Sequence, residues 1–208
     1  MNTSEIRWIP VLGTVILATL LWCGTFYVSW GSFWVKISFS SALLAGLSLW
    51  LQSDPRPRFG FDRKALLIGL SLAVVLYLIF WAGKTISTHL FPFAGNQIEA
   101  IYGKGQGTRL WVVAALLFFV TGPAEEIYWR GYLQHKLMHR FGGWQGWLLS
   151  TALYAGVHLW ALNFMLIGAA AVAGAFWGAM YWRLGKLAPV MISHSVWSMV
   201  IFALVPLS

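Results

Sequence analysis

Leu110-Trp-Val-Val-Ala-Ala-Leu-Leu-Phe-Phe-Val-Thr-Gly-Pro-Ala-Glu125-Glu126-Ile-Tyr-Trp-Arg130 is the stretch on which the fold turns. Its first half is apolar without interruption, and the run continues to about Met138. A membrane-crossing helix needs about 20 such residues. Yet two adjacent glutamates and an arginine lie deep within the run. A charged side chain at the centre of a membrane helix costs ~3 kcal/mol on insertion scales, so it marks a functional site by default. Glu126 and Arg130 are four residues apart, share one helix face and can pair. Glu125 is rotated by about 100° from Glu126 and is left to face something else. Pro123, just before the pair, removes a backbone donor and can kink the helix.

The rest of the chain has the same character. Of its 208 residues 59% are hydrophobic and 10% are charged, against about a quarter charged in a soluble domain. That excludes an ordinary cytosolic fold and a disordered chain. The apolar residues cluster in seven runs: Ile9 to Trp30, Phe33 to Leu51, Ala65 to Ala82, Leu110 to about Met138, Trp144 to about Leu162, Phe164 to Trp182 and Leu187 to Leu207. The first is too long for a signal-peptide core and no clear cleavage site follows it, so it reads as a retained span. Gln52 to Lys64 is polar. Gly83 to Arg109, with Pro92 and several glycines, is too polar to span but has room for a short interfacial helix. The expectation is an all-α, polytopic bundle of about seven transmembrane helices. The single cysteine, Cys23, excludes an intramolecular disulfide and reads as a small packing residue. The 14 tryptophans fit interfacial belts. Gly174 and Gly178, four apart, form a small-residue face that lets neighbouring helices approach.

The net charge of +8 suits attraction to anionic lipid rather than nucleic acid, because the basic residues sit mostly in the connections. Seven crossings place Arg7, Arg56, Arg58, Arg63, Lys64, Lys136, Arg140, Arg183 and Lys186 on one side. The other side receives Lys36, Lys84, Lys104 and Arg109. Nine against four favours a cytoplasmic N-terminus. A compact chain of this kind fits a bacterial inner membrane.

Glu5, Asp54, Asp62 and Glu99 fall outside the runs, but His158 and His194 fall inside two of them. With ~1.5 Å of rise per residue, Glu125 and His158 both lie ~20 Å from the cytoplasmic ends of their helices, and His194 ~10 Å. One shared site is compatible with these depths. Glu125 beside His158 can activate a water, the glutamate taking and returning a proton. His194, with Ser198 one turn later, can donate hydrogen bonds to a developing oxyanion. Together these parts make a hydrolase of an amide bond. Other intramembrane chemistries lack their residues: there is no His-Glu-x-x-His, no pair of aspartates in spans and no Gly-x-Ser-x-Gly.

At these residues the chain resembles the CAAX-protease and bacteriocin-processing family, also called the Abi family of intramembrane proteases. The family's Glu-Glu-x-x-x-Arg is matched by Glu125, Glu126 and Arg130. Its Phe-x-x-x-His is matched by Tyr154 and His158, with one aromatic exchanged for another. Its His-x-x-x-Asn or Asp is matched by His194, but Ser198 stands at the last position. The motifs occur in the family's order across roughly half the chain. The resemblance implies a catalytic core over residues 110–208, preceded by a variable region over 1–109. It implies an endopeptidase acting on a membrane-anchored protein or peptide, with Glu126, Arg130 and Tyr154 supporting the catalytic Glu125, His158, His194 and Ser198. Members are often labelled metalloproteases. The expectation here is no cofactor, with zinc on Glu125, His158 and His194 as the alternative.

Two other functions use similar parts. A proton-coupled transporter also buries carboxylates and histidines, although no inverted repeat is evident. A non-catalytic membrane partner of the same fold is compatible with the departure at Ser198.

Overall fold

The computed structural model describes residues 8–52, 59–104 and 106–207. Glu5, Arg7, Asp54, Arg56, Arg58 and Gly105 lie outside the described residues. The described residues are helical throughout, with short connections. In chain order the helices are α1 (Trp8–Phe26), α2 (Phe33–Leu51), α3 (Arg63–Leu90), α4 (Ala94–Gly103), α5 (Leu110–Phe141), α6 (Gly143–Val157), α7 (Phe164–Leu184) and α8 (Ala188–Leu204). The expected all-α bundle is therefore observed. Of these helices α1, α2, α3, α5 and α7 are long and apolar enough to cross a membrane. The runs expected at 144–162 and 187–207 form the shorter α6 and α8.

α3 runs eight residues past the expected end at Ala82. The polar residues of that extension satisfy themselves within the helix. Thr85 donates to the Trp81 carbonyl at 3.0 Å, Ser87 and Thr88 donate to the Lys84 carbonyl at 3.0 and 2.9 Å, and the His89 ring meets the Thr85 carbonyl at 2.7 Å. Back-bonding of this kind lets hydroxyls sit in a helix at little cost. The helix stops at Leu90 because Phe91 precedes Pro92 and is extended, as a residue before proline prefers. α4 follows as a short helix in the segment expected to hold one.

The ends of the helices pair in two groups. At one end the Trp8 and Phe141 rings lie 5.9 Å apart, and Lys186 bonds Asp62 at 3.2 Å, tying the α7–α8 connection to the start of α3. At the other end Ser32 and Thr108 share a hydrogen bond of 3.2 Å, the Phe26 ring lies 5.5 Å from His158, and Asn163 donates to the Gln97 carbonyl at 2.8 Å. α4 stays at this second end and does not cross the bundle.

Two glycines set the approach of α8. A Cβ at Gly122 would lie 2.8 Å from the Ser195 Cα, and one at Gly69 would lie 2.9 Å from the Pro189 carbonyl oxygen. The absence of side chains there lets α5 and α3 pack on the α8 backbone, as small residues do in lipid. Large aromatics fill the remaining interior, with Trp22, Trp129 and Trp177 fully buried.

Candidate active site

α5 is not a uniform α-helix. Wide π turns occupy Leu117–Thr121 and Ile127–Gln134, on either side of the α-helical Gly122–Glu126. Pro123 has no N–H and its ring crowds the preceding turn. The chain responds by widening, so the Gly122 N–H reaches back to the Leu117 carbonyl, five residues earlier. π turns are uncommon and cluster at functional sites. Here they present two carboxylates to two different neighbours.

Glu126 is fully buried and faces α8. Its Oε1 accepts from Arg130 at 2.9 Å and contacts Nδ1 of His194 at 2.7 Å, while Oε2 has no hydrogen-bond partner among the described residues. Arg130, 1% exposed, also donates to the Gly174 carbonyl at 3.2 Å. Its guanidinium lies over the rings of Tyr154 and Trp177, at 4.8 and 5.6 Å. The His194 ring stacks on Trp177 with centroids 3.9 Å apart. The carboxylate thus fixes one nitrogen of His194 and the indole fixes its plane. Since a carboxylate only accepts, Nδ1 carries a proton and Nε2 is the nitrogen left for a ligand.

Glu125 faces α6 and α2. Its Oε2 accepts from the Tyr154 hydroxyl at 2.9 Å, and its Oε1 has a long contact of 3.5 Å with the Ser41 hydroxyl. His158 caps the C-terminus of α6. Its Nδ1 donates to the Tyr154 carbonyl at 2.7 Å, and its Nε2 accepts a long bond of 3.4 Å from the Trp22 indole. Glu125 and His158 share no direct hydrogen bond. Tyr154 joins them instead, with its hydroxyl on one and its carbonyl on the other. Ser198 is buried one turn beyond His194, and its hydroxyl makes no hydrogen bond with the described residues, including the His194 carbonyl.

One cavity of about 410 Å³ connects these groups, and Glu125, Tyr154, His158, His194 and Ser198 all line it. The remaining lining is largely apolar. An apolar cleft or cavity with a few convergent polar groups is the usual form of a ligand site. Among the described residues no group of three or more His, Cys, Asp or Glu side chains is arranged to hold a metal ion.

Three contributors escape the sequence reading. Trp177 and Trp22 are packed against the two histidines, but 14 tryptophans in one chain made any single one uninformative. Ser41 lies on α2, in a region read as variable, among several other serines of that helix. The small-residue face of α7 does bring its neighbours close: a Cβ at Gly174 would lie 2.9 Å from the Tyr154 ring. It also supplies the Gly174 and Gly178 carbonyls to Arg130 and Gln134.

Residues 107–200 match a family model described as type II CAAX prenyl endopeptidase Rce1-like. This match, over slightly less than half of the chain, supports the resemblance to the CAAX-protease family that the motifs carry. The matched segment covers α5 to α8, which carry Glu125, Glu126, Arg130, Tyr154, His158 and His194. At the family level the match supports a peptidase, and the long apolar helices fit an integral membrane protein. No curated protein and no solved structure matches the chain.

Proposed function

We propose that this protein is an intramembrane endopeptidase that hydrolyses a peptide bond of a membrane-anchored protein or peptide without a metal ion. The observation that carries this reading is the cavity in which Glu125, His158, His194 and Ser198 meet. In this scheme a water sits between Glu125 and His158. Glu125 takes one proton as the water oxygen bonds to the scissile carbonyl carbon. His158 accepts a hydrogen bond from the water through Nε2, in exchange for its long bond from Trp22, and so orients it. The Tyr154 hydroxyl holds the Glu125 carboxylate in one rotamer, leaving Oε1 for the proton.

The carbonyl oxygen becomes an oxyanion. His194, held at Nδ1 by Glu126, donates from Nε2 as the imidazolium, and Glu126 balances that charge. The Ser198 hydroxyl adds a second donor. Glu125 then delivers its proton to the amide nitrogen as the C–N bond breaks. A new carboxyl end and a new amino end leave. Arg130 touches no reacting atom and acts by holding Glu126.

The charge bias of the connections supports a cytoplasmic N-terminus. The catalytic role is confined to residues 110–208 in this proposal, although Trp22 and Ser41 reach the site from the preceding region. The test is cleavage by the purified protein reconstituted in liposomes with membrane-anchored peptides, read as new termini by mass spectrometry. New termini that depend on the protein support the proposal. Proton flux across the liposomes with no new termini would replace it with a transporter.

A further inference from the structure

We infer that the catalytic cavity opens on the non-cytoplasmic face of the membrane, so that the bond to be cut must be presented from that side. This deepens the proposed peptidase reading and rests on it for the cut. The sidedness itself stands on geometry and charge.

The deepest lining residues of the cavity are Glu125, His194 and Ser198, in the middle of α5 and α8. From there the lining runs toward one end of the bundle only. It passes Phe26 and Phe33 at the α1–α2 connection, Phe91 at the end of α3, Ile98 and Lys104 of the α4 segment, and Phe164 at the start of α7. Among the described residues, none from the opposite connections at 59–62, 141–143 or 184–188 lines it. The mouth is therefore at the end where α4 lies.

The structure also settles which connections share that end. The Trp8–Phe141 and Lys186–Asp62 contacts place the start of α1, the start of α3, the α5–α6 turn and the α7–α8 turn together. The Ser32–Thr108, Phe26–His158 and Asn163–Gln97 contacts place the α1–α2, α3–α5 and α6–α7 connections together at the other end. Among the described residues the first group carries Arg63, Lys64, Lys136, Arg140, Arg183 and Lys186 and the second Lys36, Lys84, Lys104 and Arg109; Arg7, Arg56 and Arg58, outside the described residues, bring the sequence count to nine against four. The grouping holds although α6 and α8 are short, so their length does not disturb the count. The nine-residue end is cytoplasmic by the positive-inside rule, and the cavity opens at the end with four.

A substrate consistent with this arrangement is a protein held by a membrane segment and cut near that segment's non-cytoplasmic end. A tail modified and displayed on the cytoplasmic face has no access to the mouth. Lys84 and Lys104 line the outer part of the cavity, and neither forms an ion pair within the described residues. The mouth is thus basic as well as apolar.

The experiment uses the full chain in cells with Cys23→Ser as background and a membrane-impermeant maleimide as probe. Glu99→Cys marks the exposed face of α4, Arg140→Cys the opposite end, and Ser87→Cys the cavity wall. The expected result is labelling of Glu99→Cys and Ser87→Cys in intact cells, with Arg140→Cys labelled only after permeabilisation. Labelling of Arg140→Cys in intact cells, or of Glu99→Cys only after permeabilisation, overturns the sidedness. Labelling of Glu99→Cys without Ser87→Cys overturns the open, wetted cavity. None of these readouts depends on cleavage. A protein that labels as expected yet cuts nothing keeps this inference and sinks the peptidase reading.

Discussion

Replacing Glu126 by Gln keeps the volume of the side chain and deletes its charge. In the folded protein this leaves the Arg130 guanidinium 1% exposed with only the Gly174 carbonyl and two aromatic faces for company. Breaking a buried ion pair from one side costs about 3–5 kcal/mol, because the surviving charge is stranded. That corresponds to a fall of roughly 150- to 5,000-fold in the folded-to-unfolded ratio. Arg130→Met strands Glu126 in the same way, since its Oε2 already lacks a hydrogen-bond partner among the described residues. If the two losses were independent, the double variant would lose about 6–10 kcal/mol. The structure predicts otherwise. Glu126→Gln with Arg130→Met removes both charges, so its stability should lie near that of one single variant. The coupling should be about 3 kcal/mol. The assay is reversible unfolding in mixed micelles of the wild type, both single variants and the double variant. Additivity within about 0.5 kcal/mol would refute the pairing and its role in holding His194.

Ser198→Ala should lower turnover by ~10²–10³-fold with little change in the Michaelis constant, whereas Ser198→Asn should retain activity. Unchanged turnover in Ser198→Ala would move the oxyanion role to His194 alone. Strong chelators should leave the purified protein active, with well under one zinc per chain by metal analysis. Stoichiometric zinc whose removal and return switches activity would overturn the metal-free scheme. At the surface, Asp62 caps α3 through the Ala65 N–H at 2.6 Å and pairs with Lys186, and these contacts hold its carboxyl below the usual range. A lowered folded-state value contributes stability above the ordinary carboxylate range and loses it as pH falls through the folded value. The stability gap between wild type and Asp62→Ala should therefore be present at neutral pH and close as pH falls below the ordinary carboxylate range. A gap independent of pH would assign the effect to something other than the charge.

Much of the architecture was legible because lipid imposes a simple rule: apolar runs become helices whose backbone satisfies itself. The continuation of α3 through Gly83 to Leu90 was not legible, because Thr85, Ser87 and Thr88 look polar in a list but bond back to their own helix. The spacing of Glu126 and Arg130 already implied their ion pair. Nothing in the spacing revealed that the same carboxylate oxygen also holds His194, 68 residues away, at 2.7 Å. Nor did it show that Tyr154 links Glu125 to His158. The exchange of an aromatic at this position adds a hydroxyl, which finds the carboxylate. Such contacts depend on the packing of α5, α6 and α8, which Gly122 and Gly174 permit but do not announce.

The account stands most directly on Glu125 as the base that activates water. Single-turnover cleavage of a membrane-anchored peptide by wild type and by Glu125→Gln, both confirmed folded by their unfolding transitions, measures that role alone. The glutamine keeps the size of the side chain and can still accept from Tyr154. The predicted result is a loss of at least ~10²–10⁴-fold in the cleavage rate, with peptide binding retained. In water enriched in heavy oxygen, the wild type should place that oxygen in the new carboxyl end. A folded Glu125→Gln that cleaves at a rate near wild type would contradict the account.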